Sequence, residues 1–333
     1  MRNAPGHGIA RWSAGAVAAL LLVPLSACGV TRGADSRDLL MIIPNSPGGG
    51  YDQTGRAAVA AMEANEVTGG SFTVDNVIGA GGAAAMTELI GDAGDERTVM
   101  TVGLGVVGST YSFASSYNPL DATPLAQLMS EPEGILVPAD SPYQTVEDFV
   151  EAWTADPGSL AIGGGSSPGG PDHLFPMQLA AEVGIDPRDV NYVSYDGGGP
   201  LTSALLGAKI DAGFSGPAEF LGSIEDGELR MLAVSGEERS PQEAFAEVPT
   251  LTESGIDLVF LNWRGLLAPP DISEERRDEL IGYLETMHET EEWQGELTAN
   301  GWTDDFITGD EFGDFLQEQD QRVAGTLEEL GLI

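Results

Sequence analysis

The chain carries one cysteine, Cys28, and one lysine, Lys209, in 333 residues. A lone thiol excludes an internal disulfide framework. Lys and Arg total 14 against 53 Asp and Glu, for a formal net charge of -39. No basic patch can be assembled from so few cations, which excludes nucleic acid and anionic lipid headgroups as partners. An acidic surface also suits high salt, where the Debye length falls to ~3 Å at 1 M and self-repulsion is screened. Histidine is scarce as well. Beyond the N-terminal segment only His173 and His288 remain, too few and too far apart for a zinc set. Neither metal nor cofactor is expected. There is no Gly-x-Ser-x-Gly elbow, and acidic pairs such as Asp304–Asp305 and Glu274–Glu275 read as solvated surface. The chain is therefore not read as an enzyme. No apolar run reaches the roughly 20 residues that cross a bilayer, and no repeat or low-complexity segment is present.

What is there begins with Arg2 and Arg11, followed by an apolar stretch from Ala14 to Leu25. A basic start and a short apolar run form the pattern of an export signal. The run ends in Leu25-Ser26-Ala27-Cys28-Gly29, which resembles a bacterial lipobox with cleavage before a lipidated Cys28. Acyl chains on Cys28 would hold the protein at a membrane surface, at ~0.8 kcal/mol per buried CH₂. Residues 1–27 are thus read as a lipoprotein signal peptide and 28–35 as a tether. The remaining ~300 residues are large for one core and point to two domains.

Leu39 to Asp52 holds the strongest local signal. An apolar run reads as a buried strand, Gly48, Gly49 and Gly50 follow Pro47, and Thr54–Ala64 reads as a helix. A strand, a glycine turn and a helix N-terminus bring free backbone N–H groups and a helix dipole to one place, which suits an anion. Strand-like and helix-like segments alternate through the rest of the chain, the pattern of open α/β sheets with right-handed crossovers. Strands are expected at 39–43, 71–77, 98–104, 134–137, 160–163, 190–194, 210–214, 229–234, 259–261 and 265–268. Helices are expected at 83–90, 145–154, 175–183, 200–206, 217–225, 273–288 and 310–330. Glycine clusters recur at strand ends, at 48–50, 79–82, 163–170 and 197–199. Ligands of open α/β sheets bind beyond such ends. Gly103-x-Gly105-x-x-Gly108 mimics a dinucleotide fingerprint. It is read instead as a ligand-lining loop, because the serine-rich segment after it breaks at Asn118-Pro119.

Five segments in register carry a family resemblance. They are Pro44-x-x-Pro47-Gly48-Gly49-Gly50-x-Asp52; Val193-Ser-Tyr195-Asp-Gly197-Gly-Gly-Pro200 with Leu205-Leu206-Gly207-Ala-Lys-Ile-Asp211; Leu232-Ala233-Val234-Ser235 with Glu238-Arg239-Ser240; Val248-Pro249-Thr250-Leu251-Thr-Glu253-Ser-Gly255; and Asn262-Trp263-Arg-Gly265-Leu-Leu-Ala268-Pro269. Together they resemble the substrate-binding proteins of tripartite tricarboxylate transporters, the Bug-type extracytoplasmic solute receptors. The resemblance implies a type II periplasmic-binding-protein fold: two α/β lobes joined by crossing hinge strands, with a ligand cleft between them. Lobe 1 would comprise 36–134 plus 265–333, and lobe 2 would comprise 135–264. It implies a small carboxylate ligand, held by backbone groups and water, and membrane permease subunits as partners of a monomer anchored through Cys28. Relatives often carry Gly-Ser-x-Gly where this chain has Gly163-Gly-Gly-Ser166-Ser167-Pro168-Gly169-Gly170-Pro171-Asp172-His173. The two prolines, Pro168 and Pro171, stiffen the loop that carries Ser166 and Ser167.

The expected ligand-binding residues are Asn45, Ser46, Gly48, Gly49, Gly50, Tyr51, Asp52, Ser166, Ser167, His173, Tyr195, Gly197 and Gly198. Two or three charge-assisted bonds at ~1.5–3 kcal/mol each, from two facing turns, reach the ~8 kcal/mol of micromolar binding without an arginine. Each residue has a plainer reading too. The serines can simply form turns, Asp52 can complement the helix dipole, Tyr51 can be an exposed loop side chain, and His173 can cap its helix. Trp263 is read as hinge packing, and Arg264 as the partner of a surface acid or, alternatively, of a ligand carboxylate. Two other roles stay open: an exported α/β hydrolase-like enzyme, and a ligand receptor for a sensor kinase.

Overall fold

The computed structural model describes residues 38–333. The expected signal peptide, Cys28 and the expected tether lie outside the described residues. Among the described residues no helix is long and apolar enough to cross a membrane.

The first sheet begins with β1 (Leu39–Ile43), flanked by parallel β2 (Phe72–Asn76) and β3 (Thr98–Gly103). Side chains alternate across a strand, and β1 uses both faces. Ile42 enters one hydrophobic cluster, while Leu39, Met41 and Ile43 enter another. A sheet buried on both sides needs helices on both sides. They are α1 (Gly50–Ala64), α2 (Ala83–Gly91) and α3 (Leu104–Ser112) in the first half of the chain. The chain then runs through β4 (Thr123–Pro132) and leaves this sheet.

The second sheet has the order β7-β6-β8-β5-β9. Its strands are β5 (Gly134–Pro138), β6 (Ala161–Gly164), β7 (Asn191–Ser194), β8 (Ala212–Ser215) and β9 (Leu229–Val234). Its helices are α4 (Val146–Ala155), α5 (Pro171–Glu182), α6 (Gly198–Leu206) and the short α7 (Leu221–Glu225). Thr145 caps α4 through a reciprocal capping box with Asp148. The chain returns as β10 (Leu261–Ala268), which inserts antiparallel between β3 and β4. Then follow α8 (Glu274–His288), α9 (Glu291–Asn300), β11 (Ile307–Thr308) and α10 (Gly309–Glu329). The first sheet is completed in the order β11-β4-β10-β3-β1-β2.

Several expectations are corrected. The first helix starts at Gly50 rather than Thr54, so Gly50, Tyr51 and Asp52 form its first turn. The expected strands 259–261 and 265–268 are one strand, β10, bent by register shifts against β4. β4, α9 and β11 were not expected. The glycine fingerprint at 103–108 is itself the start of a short helix, α3.

Two chain segments link the sheets: Glu133, between β4 and β5, and residues 235–260, between β9 and β10. Ser235 stitches them together. Its N–H donates to the Glu133 carbonyl at 2.8 Å, its Oγ accepts the Glu133 N–H at 2.8 Å, and its hydroxyl donates to the Phe260 carbonyl at 2.5 Å. Trp263 packs edge-on against Phe312 and Phe315 of α10, at centroid distances of 6.0 and 5.1 Å. Its indole N–H donates to Gln319 at 3.2 Å. Trp263 therefore packs beside the crossing segments, held by the last helix.

Candidate functional site

A cavity of about 380 Å³ lies between the two sheets, at the ends of their strands. The first sheet supplies Pro44, Asn45, Tyr51, Gly105 and the turn Ile78–Gly81; the second supplies Gly165, Ser166, Ser167 and Ser194–Asp196. Strand-to-helix turns build both walls, where backbone amides are left without helical partners. A smaller pocket of about 50 Å³ shares Asn45, Tyr51, Gly105, Gly165 and Ser166 with the cavity, and reaches Gly50, Asp172, Gly197, Glu219, Asn262 and Arg264.

The two halves are closed on each other at several points. Ser46 Oγ donates to the Asp196 carboxylate, and Ser112 Oγ to the Pro168 carbonyl. Gly108 of α3 lies so near Gly169 that a Cβ there would collide with the Gly169 carbonyl. A Cβ on Gly81 would press on the Ser167 side chain at 3.2 Å, while one on Gly197 would only touch the Gly49 Cα at 3.7 Å.

The expected residues divide into three groups. Asn45, Tyr51, Ser166, Ser167 and Tyr195 wall the main cavity. Gly50 and Gly197 wall the small pocket. Ser46, Gly48, Gly49, Asp52, His173 and Gly198 wall neither, and the structure gives them other work. Gly48 N–H donates to Asp52 Oδ2 at 2.9 Å, while Gly49 N–H donates to the Ser46 carbonyl at 3.2 Å. Asp52 also accepts from Arg56 Nε at 2.7 Å and Asn76 Nδ2 at 2.9 Å. It thus organises the turn instead of facing outward for a water or a ligand amine. Gly198 N–H donates to Glu219 at 2.8 Å and Gly197 N–H to the Gly165 carbonyl at 2.7 Å. Several donors expected to meet the ligand are therefore occupied by the protein's own acceptors. The first-turn amides of Gly50 and Tyr51 make no hydrogen bond among the described residues.

His173 is buried, and its Nδ1 accepts the Gly169 N–H at 3.2 Å. Its ring meets Tyr192 edge-on at 4.8 Å. Burial pushes its pKa down to about 4, so it stays neutral and holds the loop. Ser166 Oγ accepts the Asp172 N–H at 3.1 Å, and its carbonyl accepts from Tyr192 and Ser194 at 2.9 and 3.0 Å. Ser166 is thereby spent on the turn, whereas Ser167 keeps its hydroxyl free among the described residues. Tyr51 is no exposed loop residue. Its phenol oxygen accepts the Val106 N–H at 3.2 Å, at the start of α3. Burial raises its pKa to about 12.

The structure gives five titratable groups places that were not expected. Arg264 pairs with buried Glu131 at 2.5 Å, not with a surface acid, and lies 5.9 Å from the Tyr51 ring centroid. Glu131 also accepts from Trp302 Nε1 at 3.0 Å. Asp172, which accepts the Gly165 N–H at 2.6 Å, is raised by burial to about 6. Glu219 is raised to about 8, by burial and then by the Asp172 charge. Glu133 is raised well above the carboxylate range, first by burial, and neither of its oxygens has a hydrogen-bond partner among the described residues. Asp172 follows a proline in the first turn of α5, and an acid in that place is the one local signal that could have found it. Glu131, Glu133 and Glu219 have no local signal, because only the tertiary fold gathers them. Among the described residues no group of three or more His, Cys, Asp or Glu is arranged to hold a metal.

These features match known proteins. Residues 57–332 match the tripartite tricarboxylate transporter family receptor. The UPF0065 protein in the gbd 5' region of Cupriavidus necator is 29% identical over 332 residues, 98% of each chain. Among solved structures, MatC of Rhodopseudomonas palustris with bound malate has a TM-score of 0.77 at 21% identity, covering 87% of this chain and 99% of its own. R. palustris Rpa4515 with adipate has a TM-score of 0.80 at 20% identity, covering 88% of this chain and 97% of its own. The chain belongs to the tripartite tricarboxylate transporter family of extracytoplasmic solute-binding receptors, which bind ligand rather than transform it.

Proposed function

We propose that this receptor captures a small carboxylate in the cavity between its lobes and delivers it to the membrane permease subunits of a transporter. In this reading lobe 1 spans 36–134 plus 265–333, lobe 2 spans 135–264, and residues 261–264 act as part of the hinge. The protein works as a monomer held outside the cell membrane by acyl chains on Cys28. The observation that carries the reading is the cavity itself. Glycine turns from both sheets wall it, and a ligand there touches both lobes only when they close. Closure is then a population shift toward the state in which both walls meet the ligand.

Two points support a carboxylate in particular. Receptors of this family bind small carboxylates and work with transporter membrane subunits. The first turn of α1 also offers Gly50 and Tyr51 amides that the protein leaves unused, at the positive end of a helix dipole. An overall charge of -39 opposes an anion at long range. That field is screened within ~8–10 Å at ordinary ionic strength, so close donors decide binding.

A thermal-shift screen over di- and tricarboxylates, aromatic acids and amino acids tests the reading. A ligand present at 100 times its Kd raises stability by about 2.7 kcal/mol, a rise of several degrees in Tm. No rise with any carboxylate would refute it. Mass spectrometry of the membrane fraction, with Cys28→Ser as control, tests the anchor.

A further inference from the structure

The small pocket behind Tyr51 contains a guanidinium with an unused edge. Arg264 Nη2 faces Glu131, but Nη1 has no hydrogen-bond partner among the described residues, although the side chain is only 6% exposed. Arginine cannot lose its proton to escape this position. A buried donor without an acceptor is destabilising, so this edge is complementary to an acceptor brought from outside. Gly50 makes room for it: a Cβ there would collide with the guanidinium. The positive end of α1 and the Arg264 charge therefore fall on one spot. The pocket is continuous with the main cavity through Asn45, Tyr51 and Ser166.

We propose that this pocket is an inner anion subsite, in which Arg264 Nη1 receives the second carboxylate of a linear dicarboxylate whose first carboxylate lies in the main cavity. The proposal rests on the carboxylate reading above and makes Arg264 a specificity-determining residue. Asp172 and Glu219 also line the pocket, and both are already engaged by backbone amides. Glu219, raised to about 8, is neutral at pH 7 and offers a proton rather than a repelling charge. A ligand ammonium in the same place would lie against the guanidinium.

Isothermal titration calorimetry on the full chain tests this with adipate and succinate, their monoamides, and 6-aminohexanoate. The expected result is that each monoamide binds at least about tenfold more weakly than its dicarboxylate, and that this ratio collapses when Arg264 is removed or displaced. The double variant Glu131→Gln/Arg264→Gln removes both buried charges together, which is milder than stranding one. Gly50→Ala is a second route, pushing the guanidinium aside while leaving its ion pair in sequence. Equal binding of dicarboxylate and monoamide by the unmodified chain would overturn the subsite and leave the carboxylate reading intact. So would discrimination that survives in both variants, or tighter binding of 6-aminohexanoate than of adipate. Failure of every carboxylate to bind would remove both readings at once.

Discussion

Glu219, half-buried, and His173, buried, are titratable groups whose shifts run in opposite directions, and stability records both. Glu219 keeps its proton in the folded chain up to about pH 8, where an unfolded chain has already lost it. The folded state thus binds more protons between the ordinary carboxylate range and pH 8, and stability falls as pH rises through that window. Asp172 has the same sign up to about pH 6. His173 has the opposite sign: between about 4 and 6.5 the folded chain holds fewer protons, so its contribution grows with pH. Above 6.5 the histidine no longer contributes, and the buried acids act alone. Tm should therefore decline from pH 6.5 to 8. Glu219→Gln should flatten that decline without removing it, because Glu133 is shifted in the same direction. A pH series of thermal melts on both proteins checks this; an unchanged slope in the variant would refute the assignment. None of this was legible in the sequence. Arg264 and Glu131 are 133 positions apart, and only the pairing of β10 with β4 sets them side by side.

At the scale of elements, α3 illustrates how a short helix can gate closure. Gly108 sits inside it, where alanine would ordinarily favour helix by roughly 1 kcal/mol. Its Cα faces the Gly169 backbone across the cleft, with no space for a methyl group. Gly108→Ala should therefore keep or raise the stability of the unliganded chain and weaken ligand binding by at least about tenfold, the equivalent of 1.4 kcal/mol. Small-angle scattering should show a more open average shape. Unaltered affinity would mean that the two backbones separate in the liganded state. The glycine turns and most helices of this fold were readable because their signals are local: apolar period, caps and breakers. β4 was not, since Pro124, Ser130, Glu131 and Pro132 disguise a strand buried by its neighbours β10 and β11 and by the helices α8 and α10. α9 was missed for a related reason, as only Trp293 and Leu297 anchor an otherwise acidic segment. The site was half legible. Turn positions followed from glycine and proline, but which amides stay free depended on Asp52, Glu219 and Asp172 folding back onto them.

For the whole molecule, charge is the dominant quantity. A chain with 53 acidic and 14 basic residues repels itself, and the repulsion is stronger in the compact state than in the unfolded chain. Added salt screens it. Tm should rise by several degrees between about 50 mM and 1 M KCl at pH 7, with the greater part of the rise gained as the Debye length shrinks from about 14 Å to 3 Å. A flat or falling curve would show that ion pairs outweigh repulsion. The brace between Trp263 and the last helix has a different kind of consequence. A polypeptide is made from its N-terminus, and Phe312, Phe315 and Gln319 follow every strand of the second sheet. The second sheet of the nascent receptor is finished before the side chains that steady its pivot exist, so a firm grip comes later than the lobe it closes.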